Sequence, residues 1–130
     1  MSKQVFINLP VSDLSVSTPF YEKLGFVKNN MFSDTNASAM QWSDTIVVML
    51  LDRAYYKTFI ANKEVADTKA TSGVLLALSF DSRADVEAFA ETAANNGGSS
   101  FKIETGIPED QMYGLEVLDP DGHQWEAMWM

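Results

Sequence analysis

The chain repeats itself: a strand, a helix and three further strands read over residues 4–51 return in the same order over residues 74–130. The two copies align position by position, with Phe6 answering Leu75 (75 − 6 = 69) and Met49 answering Glu126 (126 − 49 = 77). The offset grows by eight residues, which the reading assigns to the Gly106-Ile107-Pro108-Glu109-Asp110 region of the second copy. Self-similarity of this kind marks a repeated supersecondary unit. It predicts an α+β chain of two tandem βαβββ modules that form an open, barrel-like mixed sheet with helices outside. Residues 52–73 connect the modules, and the whole of 1–130 is read as one domain.

Local signals place the elements. Val5 to Val11 alternates as a strand does, and Asp13 offers an N-cap to a helix carrying Phe20, Tyr21 and Leu24, which Gly25 ends. Pro19 predicts either a late start near Ser17 or a bend. Strands follow at Phe26–Phe32, Ala37–Trp42 and Ile46–Leu51, and Arg53 to Val65 offers a short helix. In the second copy a strand at Val74–Phe80 precedes Ser82-Arg83-Ala84-Asp85, a capping box that opens a helix with Val86, Phe89, Ala90 and Ala93 on one face. Asn96-Gly97-Gly98 closes that helix. Strands at Ser99–Glu104, Gln111–Leu118 and Gln124–Trp129 complete the unit, the last two joined by the turn Asp119-Pro120-Asp121-Gly122.

Composition narrows the partners. Nine Lys plus Arg against eighteen Asp plus Glu leave a net charge of −9, the wrong sign for a nucleic acid backbone or an anionic membrane surface. The opening residues predict no signal-peptide core, and no apolar run approaches the ~20 residues of a membrane helix. Cysteine is absent, which excludes disulfides and thiolate metal sites and fits a cytoplasmic location. Gly97-Gly98 ends a helix instead of opening one, so no phosphate loop is present. The serines near 12–17 have no neighbouring histidine base, which leaves nucleophilic hydrolysis without support.

Three stretches, Asn8-Leu9-Pro10-Val11-Ser12-Asp13-Leu14, Phe20-Tyr21-Glu22-Lys23-Leu24-Gly25-Phe26 and Asp119-Pro120-Asp121-Gly122-His123-Gln124-Trp125-Glu126, together resemble the vicinal-oxygen-chelate superfamily of glyoxalases, extradiol dioxygenases and bleomycin and fosfomycin resistance proteins. The Asn-Leu-Pro-Val opening, Val48-Met49-Leu50-Leu51 and the His-Gln-Trp-Glu close look like its predicted lactoylglutathione lyase branch. The resemblance implies a divalent metal held by four side chains, two from each module. Those positions fall here on Phe6, Met49, Leu75 and Glu126. Phenylalanine and leucine have no lone pair to donate, and a thioether suits Mg²⁺, Mn²⁺ or Zn²⁺ poorly. The expectation is no tightly bound metal and no other cofactor, so that the resemblance carries the fold and not glyoxalase activity. It also implies a homodimer.

Strand alternation turns Val5, Ile7, Leu9 and Val11 toward the helix layer and puts Phe6, Asn8, Val47, Met49, Leu51, Leu75, Ala77, Gln124, Glu126 and Met128 on cavity-facing sides. This wall is mostly apolar, with Asn8, Gln124 and Glu126 as polar points, and suits a small molecule with an apolar body. The same apolar residues could instead fill a closed core. Glu126 must be paired, hydrogen-bonded or protonated if it faces inward, either as a general acid or base or as a partner of Asn8 or Tyr113. Tyr113 is the candidate acid beside it. His123 is read as serving its turn, and Trp125 and Trp129 as packing on helices or a partner chain. Three functions remain open: a metal-free binder, a metal-independent lyase or isomerase using Glu126, and an interaction protein with a filled cavity.

Overall fold

A computed structural model describes residues 3–130, and the chain divides into two compact units between Asp67 and Thr68. The segment read as a connection is therefore shared, its first part going with the first unit and Thr68–Gly73 with the second.

In the first unit β1 (Val5–Val11), β2 (Val27–Asn29), β3 (Ala37–Gln41) and β4 (Ile46–Asp52) form a mixed sheet of order β1-β4-β3-β2. β1 runs parallel to β4 and the other pairs are antiparallel. β1 is the edge of this sheet, where Pro10, lacking a backbone N–H, is tolerated. The helix α1 (Leu14–Lys23) begins directly after Asp13, whose carboxylate accepts hydrogen bonds from the Ser15 N–H at 2.9 Å and the Ser15 hydroxyl at 2.7 Å. The late start that Pro19 suggested does not occur: the cap starts the helix at Leu14 and Pro19 lies within it, exposed. Phe20, Tyr21, Leu24 and Phe26 are buried with Leu9, Val11, Met40, Val48 and Leu50. Val5 is half-exposed at the strand's start, so only the later part of the helix-facing row enters the core.

The second unit repeats the plan, with β5 (Leu76–Ser79), β6 (Ser99–Phe101), β7 (Tyr113–Leu118) and β8 (Gln124–Trp129) in the order β5-β8-β7-β6. Its long helix, Arg83–Asn95, is capped by Ser82, whose hydroxyl accepts from the Asp85 N–H. Val86, Phe89, Ala90 and Ala93, the predicted face, are all buried, together with Leu78, Val117, Trp125 and Ala127. In the first unit a short helix, α2 (Arg53–Lys57), follows β4, and the helix 83–95 is α3.

Both long helices end the same way. Gly25 and Gly97 take φ of 107° and 102°, and the residue after each donates back into the last turn, Phe26 to the Tyr21 carbonyl and Gly98 to the Ala93 carbonyl. This is the αL termination that glycine permits. In the first unit the Tyr21 and Phe26 rings stack edge-on over it, 5.2 Å apart.

Several bounds differ from expectation. β2 stops at Asn29, where a 3-10 turn over Asn30–Phe32 begins with the Asn29 side chain accepting from the Met31 N–H. α2 covers Arg53–Lys57 and not Arg53–Val65; Arg53 reaches instead to the carbonyls of Val65 and Ala66. β6 ends at Phe101, and β7 starts at Tyr113. The eight-residue growth in offset is also divided: α3 has 13 residues against 10 in α1, so three arise there. The other five fall between β6 and β7. Among the described residues no helix is long and apolar enough to cross a membrane.

Candidate functional site

The hairpin of β7 and β8 is set by its turn. The Asp119 carboxylate accepts from the N–H groups of Asp121 and His123, each at 2.9 Å, and Gly122 follows with φ of 86°. A side chain at Gly122 would meet the Thr68 carbonyl at 2.6 Å, because residues 68–69 lie directly against the turn. Thr68 also donates its hydroxyl to the Asp121 carbonyl at 2.6 Å. His123 is buried in this turn and its backbone carbonyl accepts from the Asp119 N–H.

This turn brings Leu118 opposite Gln124, Glu116 opposite Glu126 and Gly114 opposite Met128. Directly paired residues in an antiparallel ladder project to the same face. Two carboxylates therefore stand side by side on the face away from α3. Glu116 is 9% exposed. Its Oε1 accepts a long bond from Gln124 Nε2 at 3.4 Å, while Oε2 is removed from solvent and has no hydrogen-bond partner among the described residues. Burial, and then the neighbouring Glu126 charge, hold the Glu116 carboxyl above its ordinary value, against the opposing bond from Gln124.

The loop between β6 and β7 roofs the pair. Lys102, Ile103, Glu104, Thr105, Ile107, Glu109 and Met112 border a partly open cavity of about 40 Å³ over Gly114, Glu116 and Glu126. Glu109 in this loop pairs with Lys102 and, at 3.2 Å, with Arg83 of α3. Both cations also lie over the Tyr113 ring, Arg83 at 4.2 Å and Lys102 at 4.8 Å from its centroid.

The first unit offers a different recess. Gln4, Phe6, Asn29, Phe32, Ala39, Gln41 and Val47 surround about 150 Å³ of mostly apolar space, with Asn29 donating to the Gln41 carbonyl oxygen at 3.2 Å.

The predicted site residues distribute as follows. Phe6 and Val47 line the apolar recess, and Met49 lies half-buried on the same sheet face, opposite Asn8 and Ala39. Asn8 bonds weakly to the Phe6 carbonyl, at 3.4 Å, and Leu51 is buried at 3% exposure instead of open to a cavity. Phe6 and Leu75 are 53% and 67% exposed, so neither fills a closed core. Leu75 precedes β5, while Ala77 pairs with Glu126. Gln124 bonds Glu116, and Met128 flanks Gly114. Tyr113 is not beside Glu126: it pairs with Trp129 and projects to the α3 side with Arg83, because odd and even positions of β7 face opposite ways. Trp125 is buried at 1% exposure, and Trp129 is partly so.

Sequence reasoning missed Glu116, Asn29, Phe32 and Gln41. For Glu116 a signal existed, since the turn at 119–123 already implies its pairing with Glu126.

The metal that the resemblance implies does not fit these residues. Phe6 and Leu75 offer no donor and Met49 only a soft one. Among the described residues no group of three or more His, Cys, Asp or Glu side chains is gathered as a metal site requires.

Comparison with known proteins follows the fold. A structure of a hypothetical protein from S. aureus matches all of this chain and 95% of its own at 22% identity, with a TM-score of 0.79. A bleomycin-binding protein complexed with bleomycin matches at 20% identity, covering 99% of each chain, with a TM-score of 0.64. The fosfomycin resistance protein FosX from Listeria monocytogenes matches at 16% identity over all of this chain and 92% of its own, with a TM-score of 0.69. At such identities these likenesses speak for the fold alone. No curated protein sequence matches. The sequence profile of one family covers residues 3–127, and with it the chain belongs to the glyoxalase/bleomycin resistance protein/dioxygenase superfamily.

Proposed function

We propose that this chain binds and sequesters a small molecule with an apolar body and an uncharged or cationic polar part, without the metal that many members of its superfamily use. The observation that carries this reading is the chemistry of the four ligand positions, where Phe6, Met49 and Leu75 cannot replace oxygen or nitrogen donors. The apolar recess at Phe6 and Val47 gives an apolar body somewhere to lie, and the acidic balance of the chain favours a cation over an anion. Two fold relatives are a bleomycin-binding and a fosfomycin resistance protein. Four modules commonly make two cavities in this superfamily, so the working assembly is a homodimer, in a reducing cytoplasm that suits a chain without cysteine.

Thermal-shift screening of chelator-treated protein against metabolites and antibiotics tests this, because a ligand of the folded state raises stability by mass action. Stabilisation that added EDTA leaves intact is the expected result. Near-stoichiometric Zn, Ni or Mn in protein purified without chelator overturns the reading.

A second reading, a metal-independent lyase or isomerase with Glu126 as base, draws on the raised carboxyl of Glu116 beside it, since paired carboxylates that share a proton suit acid and base roles. E126Q then abolishes turnover. Under the binding reading the same variant turns over nothing to begin with.

A further inference from the structure

We propose that Glu116 and Glu126, beneath the loop Lys102–Met112, form a recognition site for the primary ammonium group of the bound molecule; this rests on the small-molecule-binding reading above. The site is built rather than incidental. Glu116 is nine-tenths buried, on a strand whose register pairs it with Glu126; its Oε2 has no hydrogen-bond partner among the described residues, and both glutamates line a partly open cavity. A buried carboxylate oxygen with no donor costs stability unless the group keeps its proton or a ligand supplies a donor.

The lining selects the sign. Glu104, Glu109, Glu116 and Glu126 set four carboxylates around the cavity against one amine, that of Lys102, and Lys102 is engaged by Glu109. An anion is repelled there. Size bears on the kind of cation: the space is small, about 40 Å³, which favours the compact head of an ammonium over a broad planar guanidinium. An ammonium presents three N–H donors, enough for one oxygen of each glutamate. Among the described residues these carboxylates do not gather as three or more ligands of one point, which a protein-held divalent ion requires. Gly114 completes the fit, since a Cβ there would stand 3.3 Å from Glu126 Oε2 and crowd the carboxylate.

The counterpart of Glu116 in the first unit is Ala39, which holds the same ladder position opposite Met49. The carboxylate pair is thus a feature of one copy only, as is the lengthened loop above it.

Benzylamine, protonated at pH 7, and its neutral analogue benzyl alcohol serve as probes in ¹⁵N and side-chain ¹³C NMR titrations of the full chain. The expected result is saturable shifts from benzylamine at the Glu116 and Glu126 carboxyls and in residues 102–112, weakened at least tenfold in E116Q and E126Q and in Gly114→Val, each checked for retained amide dispersion. Equal binding of both probes, or binding indifferent to E116Q, overturns the ammonium site. If in that case the shifts gather at Phe6 and Val47, the small-molecule reading survives its loss. Absence of shifts from either probe also overturns the site, and the broader reading is then decided by the EDTA-treated thermal-shift panel. Saturation of the same carboxyls by Mn²⁺ at lower concentration than by benzylamine overturns it in favour of a metal.

Discussion

Glu116 and Glu126 face each other across β7 and β8 as a directly paired couple, the first buried with one oxygen unpartnered among the described residues and the second half-buried beside it. A like-charged pair directly opposite in a ladder is unfavourable. The couple lies on the face opposite the packed Val117 and Trp125, where the core of this unit does not require it.

The pair gives the protein a pH dependence of definite sign. The folded-state value of Glu116 lies above its ordinary 4.5, so between the two the folded chain holds more protons than the unfolded one. Stability is then fully present below the ordinary value and falls as pH rises through the raised one. Urea midpoints measured from pH 4 to 8 are expected to show this decline in the wild type and a flatter profile in E116Q. A profile unchanged by the substitution contradicts it.

Gly122 is irreplaceable on two counts, its positive φ and the Thr68 carbonyl 2.6 Å from any added Cβ. Gly122→Ala is expected to cost about 2 kcal/mol or more in urea unfolding, from αL strain and displacement of residues 68–69. Gly73, with open space around it, is the control: Gly73→Ala is expected to fall within about 0.5 kcal/mol.

Removing the α3 cap by Ser82→Ala leaves the Asp85 N–H without its acceptor and is expected to cost about 1 kcal/mol. Asp13→Asn at the equivalent start of α1 tests the charge: hydrogen bonds from Ser15 hold the Asp13 carboxyl below its ordinary value, so its contribution is present above 3.8 and lost as pH falls through the lowered value. The difference between wild type and Asp13→Asn should therefore shrink in acid.

Glu109 ties the loop to Arg83 and Lys102 at the surface, where ion pairs contribute little to global stability. Glu109→Gln is expected to leave the melting temperature within a degree or two while speeding amide hydrogen exchange in residues 102–112. Unchanged exchange would mean that the loop is held by other contacts.

The repeat was legible because its markers are local: caps at Asp13 and Ser82, helix stops at Gly25 and Gly97, and apolar spacing at Val86, Phe89, Ala90 and Ala93. Strand ends were less so. Asn29 closes β2 through a side-chain bond to Met31, and Arg53 reaches to Val65 and Ala66, contacts that local propensity does not encode. Alternation puts Phe6, Val47 and Glu126 on the faces where the recesses lie. Glu116 was passed over because, in a chain with eighteen acidic residues, one more glutamate reads as solvated surface, and because Tyr113 drew attention to the other parity of the same strand. Pairing through the Asp119 turn was the missing step.

The register of the glutamate couple is dictated at one end of its hairpin, by Asp119 and Gly122, whereas the lengthened segment enters at the opposite end, before Tyr113. Length and composition of that segment can accordingly drift, or be shuffled in a library, while the floor keeps its alignment. What aligns the strands is thereby separate from what varies above them, and a change in the segment demands no refolding of the sheet.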